Sequence, residues 1–333
     1  MSTQMSRTSA VGQLLDDDWA RSILPTRPDD ANKGVFGKVM VVAGSVNYIG
    51  AAALAVQGAM RSGAGLVTLG CPGDLLSVLA VKLTECTFLP LPSDLGSLSM
   101  QAADKLRPAL EGYAALLVGC GIGQEKETAA FIRRLLAKEE NTAAAKSGSR
   151  SIGFANRVQT PSENEGESEK GSLPPMVLDA DALNLLAELE DWPSYVPAGS
   201  VLTPHPGEMS RLLGNTADDV QADRAKTVSN AATQWKQVVV LKGASTVIAS
   251  PDGEVFISPF SNPALATAGT GDVLAGAIAG LIGQGKSPLE AACLGVYLHG
   301  LAGELLSEEY GPSGGLAGDL PVLLARAQKR LRG

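Results

Sequence analysis

The chain has 333 residues and a formal net charge of −8, with 45% hydrophobic and 19% charged residues, and its isoelectric point lies near 5. This acidity argues against nucleic acid or an anionic membrane as partner. Any phosphate would have to be held locally, by backbone N–H groups, a few cations or Mg²⁺. Cys71, Cys86, Cys120 and Cys293 are scattered without a C-x-x-C pair, and the chain has only two His, so neither a zinc site nor a disulfide framework is expected, and a reducing, cytoplasmic setting is.

Residues 1–30 are polar and mixed in charge, without the apolar stretch of a signal peptide, and read as an N-terminal extension ahead of one domain spanning 31–333. Val39-Met40-Val41-Val42 is apolar at every position, as expected of a strand buried on both faces, and it ends in Gly44-Ser45. A helix is predicted from about Gly50 to Ser62 and a second strand over Gly65–Gly70. Four more buried strands are predicted at Ala114–Val118, Met176–Asp179, Val201–Thr203 and Val238–Leu241. Continuous apolar strands alternating with helices imply an α/β fold with a largely parallel sheet covered on both faces. Pro251-Asp252-Gly253 between Thr246–Ala249 and Val255–Ile257 predicts a late antiparallel hairpin. Helices should follow over Asp272–Gln284, Ser287 to about Glu308, and Gly318 to the end. Val273–Ile282 is too short and too rich in Gly for a membrane span. The segment 139–174, rich in Ser, Glu, Asn, Lys and Gly, breaks the pattern and reads as a disordered surface insertion.

Four stretches carry candidate chemistry. In Ala268-Gly269-Thr270-Gly271-Asp272 the glycines let successive N–H groups face one concavity at a helix start, which suits a phosphate. Asp272 could be a helix-capping acid or a base that takes a hydroxyl proton during phosphoryl transfer. Lys242, closing a strand before Gly243-Ala244-Ser245-Thr246, could reach a phosphate or be an ordinary hairpin lysine. In Thr203-Pro204-His205-Pro206-Gly207-Glu208 the His and Glu could be a turn residue and a first-turn acid or part of a site. Asp179 and Asp181 could serve Mg²⁺ through water or cap the following helix. All four follow predicted strand ends, where open α/β sheets bind ligands. The P-loop, the G-x-G-x-x-G dinucleotide fingerprint and the G-x-S-x-G elbow are absent.

Together with Gly37-Lys38 to Gly44-Ser45, Gly50-Ala51-Ala52 to Thr68, and Gly295–Gly300, these stretches resemble the ribokinase superfamily and, within it, the ADP-dependent NAD(P)H-hydrate dehydratases. The resemblance implies a three-layer α/β/α fold and dehydration of the S-epimer of hydrated NADH or NADPH, with ADP converted to AMP and phosphate. It implies Asp272 as base, and Lys242, Gly243, Ala244, Ser245, Thr246, Gly269, Thr270 and Gly271 as nucleotide and anion-hole residues. Gly50, Ala51, Ala52, Gly121, Gly123 and His205 would contact the hydrated nucleotide, and Mg²⁺ would sit near Glu208 and Asp179, through water. It further implies a homotetramer and a separate epimerase, since nothing in this chain reads as an epimerase domain. Cys120 stands where the family usually has Pro, and the 139–174 insertion is atypical. A vitamin-precursor kinase of the same superfamily and a non-catalytic nucleotide sensor are the alternatives.

Overall fold

Burial of apolar strands on both faces organises the chain, as a computed structural model shows; it describes residues 8–9, 12–137 and 172–333. Most of the expected insertion, and the first seven residues, lie outside the described residues. The strands in chain order are β1 (Thr8–Ser9), β2 (Gly12–Leu14), β3 (Lys38–Val42), β4 (Leu66–Pro72), β5 (Thr87–Leu91), β6 (Ser93–Asp94), β7 (Ser97–Leu98), β8 (Ala115–Val118), β9 (Met176–Leu178), β10 (Val201–Leu202), β11 (Val238–Leu241), β12 (Val247–Ala249) and β13 (Val255–Ile257). All but β6 and β7, which pair with each other, form one sheet of order β1-β2-β13-β12-β11-β10-β9-β8-β3-β4-β5.

From β11 to β5 the neighbours run parallel. The pairs β11–β12 and β12–β13 are antiparallel, which confirms the hairpin that Pro251-Asp252-Gly253 predicts. The chain leaves β3 toward β4 and β5 on one side, then returns to β8 and proceeds outward on the other. The carboxyl ends of β3 and β8 therefore flank the switch point, where a crevice is open to ligand.

One face of the sheet is covered by α1 (Asp17–Ile23), α2 (Ile49–Ser62), α3 (Leu76–Lys82), α10 (Thr270–Gly283), α11 (Pro288–Gly314) and α12 (Leu320–Arg332). The other carries α4 (Gln101–Ala109), α5 (Lys126–Leu136), α6 (Asp181–Leu186), α7 (Pro206–Leu213), α8 (Ala217–Ala222) and α9 (Arg224–Trp235). Successive residues of β3 divide between the two cores: Val39 and Val41 face the first, Met40 and Val42 the second. The result is the expected three-layer α/β/α architecture. α11 is long and apolar enough to cross a membrane by length and composition, but 78% of its apolar window is buried inside the fold. It is a central core helix, which the sequence reading did not single out when it considered Val273–Ile282.

The helices α2 and α10 lie side by side with their N-termini at the same end, as the neighbours Leu54–Gly269, Gly58–Val273 and Ser62–Gly280 show. Their approach is set by residues without side chains. A Cβ on Gly276 would lie 2.0 Å from the Ala55 carbonyl oxygen. Replacing a helical Gly with Ala ordinarily stabilises by about 1 kcal/mol, whereas overpacking against backbone costs about 1–3 kcal/mol. We expect the second effect to win for Gly276→Ala, lowering the unfolding midpoint in a thermal scan; an increase would show that the helices separate freely.

Candidate active site

Three strand ends and one helix start converge on a single cation. Asp179, just after β9, is 1% exposed. Its Oδ1 accepts hydrogen bonds from Lys242 Nζ at 2.6 Å and Thr203 Oγ1 at 2.7 Å. The same ammonium lies 3.7 Å from Glu208 Oε2. Lys242 follows β11, and its backbone N–H is anchored to the Pro204 carbonyl at 2.9 Å. Burial alone pulls its pKa down, but Asp179 and Glu208 push it up to a net rise, so the ammonium stays charged. The sequence assigned Lys242 to phosphate and Asp179 to metal; the structure pairs them.

His205 and Glu208 form a reciprocal cap at the start of α7. His205 Nδ1 accepts from the Gly207 and Glu208 N–H groups at 3.0 and 3.3 Å, and the His205 N–H donates to Glu208 Oε2 at 2.8 Å. Burial first, then the Lys242 charge, lowers the His205 pKa, keeping Nδ1 available as acceptor. The turn roles anticipated for both residues are thus present, and His205 remains half-exposed at the pocket mouth. His205→Ala should remove the cap and lower stability by about 1 kcal/mol, read as a denaturant midpoint, with His205→Asn close to wild type. Glu208 is 4% exposed, and burial, opposed chiefly by Lys242 and reinforced by Asp179, raises its pKa to about 7.

Asp272 sits in the first turn of α10 and is half-buried. The turn before it needs Gly269, whose φ is +93° and where a Cβ would meet Leu54 Cδ1 at 2.6 Å. No side chain caps α10; the Thr270 N–H donates to the Thr267 carbonyl at 3.3 Å, and the following first-turn N–H groups suit an anion. Desolvation, then the charge of Asp179, lifts the Asp272 pKa to about 7 against the lowering effects of Cys120 and Lys242. A carboxyl poised near neutrality is suited to receiving a proton. Gly271 touches the same cluster: a Cβ there would be 3.5 Å from Lys242 Nζ and 3.9 Å from Asp179 Oδ2.

On one side of this cluster lies a cavity of about 600 Å³. Its lining includes Lys242, Gly243, Ala244, Thr246, Thr270 and Gly271 from the expected set. Ser245 is held away from it in the turn, its N–H bonded to the Phe260 carbonyl at 2.9 Å. Asn262, Leu265, Leu274 and Val296, to which the sequence reading gave no site role, also line the cavity. His299 lines it too; burial holds it neutral down to about pH 4, and its Nε2 donates to the Thr270 carbonyl at 2.9 Å, fastening the anion loop to α11.

The residues expected to meet the hydrated nucleotide lie at the switch point, by the carboxyl ends of β3 and β8. Gly50 is exposed with open space around it, and Ala51 is partly buried. Ala52 is fully buried against Gly44, so Gly50 and Ala51 are the two of the three that face outward. Gly121 packs so closely on Tyr48 and Ala51 that a Cβ would lie 2.6 Å from Tyr48 Cβ. The Gly123 N–H donates to Asp181 Oδ2 at 3.0 Å and Gln124 Nε2 to Asp181 Oδ1 at 2.7 Å. Asp181 therefore clamps this loop. The helix α2 begins without a side-chain cap, and Ser45 Oγ, buried nearby in sequence, has no partner among the described residues.

The donors around Lys242 suit a hard divalent cation. Asp179, Glu208 and Asp272 supply carboxylate oxygens, which Mg²⁺ prefers. Asp179 Oδ1 and Glu208 Oε2 are already engaged by the protein, so the remaining oxygens fit water-mediated holding better than a dehydrated cage.

The sequence profile of the NAD(P)H-hydrate dehydratase family matches residues 39–143 and 164–325. The chain is 42% identical over 92% of its length to the bifunctional NAD(P)H-hydrate repair enzyme Nnr of Moorella thermoacetica, of which it covers 52%. It therefore spans about half the length of the bifunctional relatives it matches. It is 34% identical over 90% of its length to the ADP-dependent (S)-NAD(P)H-hydrate dehydratase of Neisseria meningitidis serogroup B, covering 87% of that protein. The crystal structure of the ADP/ATP-dependent NAD(P)H-hydrate dehydratase from Bacillus subtilis, co-crystallized with ATP/Mg²⁺, superposes with a TM-score of 0.74 at 29% identity, covering 97% of this chain and 100% of that one.

Proposed function

Because the chain belongs to the NAD(P)H-hydrate dehydratase family, we propose that it dehydrates the S-epimer of hydrated NADH and NADPH, with ADP converted to AMP and phosphate. The observation that carries this reading is Asp272, at the uncapped start of α10 beside a nucleotide-sized cavity, with its pKa raised to about 7. In this reading the AMP moiety occupies the cavity walled by Lys242–Thr246 and Asn262–Leu265. The hydrated nicotinamide rests in the crevice against Gly50, Ala51, Gly121 and Gly123, with His205 at the rim.

The chemistry follows from the leaving group. Hydroxide departs poorly, so the ring hydroxyl is first converted to a phosphate ester. Asp272 takes the hydroxyl proton as the oxygen attacks the β-phosphorus; an O–P bond forms, the bond to the α-phosphate oxygen breaks, and AMP leaves. The N–H groups at Gly269, Thr270 and Gly271 and the dipole of α10 stabilise the charge that develops on phosphorus. The C–O bond then breaks, phosphate departs with its electron pair, and loss of a proton from the adjacent carbon restores the ring double bond. Asp179 and Glu208 would hold Mg²⁺, through water, and the ion would supply charge neutralisation of the phosphates. The Bacillus relative crystallised with ATP/Mg²⁺ supports a nucleotide and that ion.

A homotetramer, an epimerase activity supplying the S form, and a cytoplasmic setting belong to the same proposal. The four free cysteines suit a reducing compartment. As a test, the protein incubated with hydrated NADH should regain the absorbance of the reduced nicotinamide when ADP is added. Accumulation of a stable phosphorylated product in place of that recovery would instead indicate a small-molecule kinase.

A further inference from the structure

Cys120 lies in the loop after β8, at the switch point, and is completely buried. Its carbonyl accepts the Gly44 N–H at 2.9 Å, so the loop is tied to the end of β3. Its thiol points into the acidic cluster: Sγ is 3.8 Å from Asp179 Oδ2, within reach of a sulfur hydrogen bond. The sulfur and one oxygen each of Asp179 and Asp272 lie within 4.8 Å of one another.

Two carboxylates this close repel, and something must hold the second in place. Lys242 and Thr203 are committed to Asp179. Among the described residues no N–H or hydroxyl side chain is bonded to Asp272, and the Cys120 thiol lies within 4.8 Å of one of its oxygens. Burial and the neighbouring carboxylates keep the thiol in its protonated form, in which it can donate.

We propose that Cys120 is a positioning residue, whose thiol lies between the Asp179 and Asp272 carboxylates and holds Asp272 in the orientation needed to take the substrate proton. The proposal rests on the function set out above. A reacting oxygen displaced by about 1 Å can lower a rate a hundredfold, so a weak donor at this position has leverage that its own bond strength would not suggest.

The test compares Cys120→Ala and Cys120→Ser in the full chain, using hydrated NADH and ADP. The expected result for Cys120→Ala is a fall in kcat of about ten- to hundredfold, with KM for both substrates unchanged. Cys120→Ser, which keeps a donor, should recover most of the loss. In an Asp272→Asn background Cys120→Ala should cause no additional loss, because the group it positions is gone. A purely structural role would lower both variants alike and add to the Asp272→Asn defect; either result overturns the proposal. An active wild type with Cys120→Ala equal to it overturns this role alone, whereas an inactive wild type overturns the function and the role together.

Discussion

Asp272→Asn is expected to lower kcat by about 10²- to 10⁴-fold, the range typical for a general base, with little change in ADP affinity. The amide keeps the shape of the first turn of α10 and leaves the N–H groups at Gly269–Gly271 in place, so ground-state binding of the nucleotide should survive. The same variant carries a stability signature of opposite sign. Burial and Asp179 raise the Asp272 pKa from 3.8 to about 7, so the folded state binds this proton more tightly than the unfolded chain. Stability therefore declines as pH rises from about 4 to about 7, and the full penalty is present above 7. The Asn variant is spared that penalty. Its thermal midpoint should exceed wild type at pH 8 and match it near pH 4. An enzyme that loses turnover while gaining stability in alkali has lost a strained functional group. Loss of both together would point to a capping role instead.

Lys242→Met should have the second-largest effect, and on both properties. Asp179 is 1% exposed and Glu208 4%, and Lys242 is the cation between them. Breaking one partner from a buried pair costs about 3–5 kcal/mol, which exceeds most single substitutions. The stranded carboxylates can escape part of this by taking up protons. The deficit relative to wild type should consequently be smaller at pH 5 than at pH 8, since burial already raises the Glu208 pKa to about 7 and removing the opposing Lys242 charge leaves it protonated at the lower pH. Turnover should fall at every pH, because the cavity loses the Lys242 ammonium that lines it. Adding Asp179→Asn should restore stability without restoring turnover. If Lys242→Met unfolds at the wild-type temperature at pH 8, the ion pair contributes little and the account of the cluster is wrong.

Much of the fold was legible because parallel strands buried on both faces leave uninterrupted apolar runs, as at Val39–Val42 and Val238–Leu241. The edges were not. β5 carries Pro90 and is largely half-buried, and β2 joins β13 through only the partners Gln13–Phe256 and Leu14–Ile257. Strands this short, or paired along one side only as β5 is, have no distinctive pattern in a single sequence.

The site shows the same division. Asp272, Lys242 and His205 were marked by the turns that carry them, since glycines and prolines at strand ends announce a change of direction. Their grouping was hidden. Asp179 and Lys242 are 63 residues apart in sequence, and only the strand order makes them partners. Leu274 and Val296 wall the cavity from helices whose other residues are core, and apolar periodicity cannot tell a wall from a core. Cys120 stood out only as one of four scattered thiols at a position where the family usually has Pro, and the two carboxylates beside it come from distant parts of the chain.

The account stands on one claim, that this site uses ADP to remove water from a hydrated nicotinamide. The most direct measurement supplies wild-type protein with the S form of hydrated NADH, ADP and Mg²⁺. Reduced-nicotinamide absorbance is followed while AMP and phosphate are quantified. The predicted result is recovery of the absorbance with one AMP and one phosphate formed for each NADH restored. No recovery with either ADP or ATP, or recovery that proceeds without AMP formation, would contradict it.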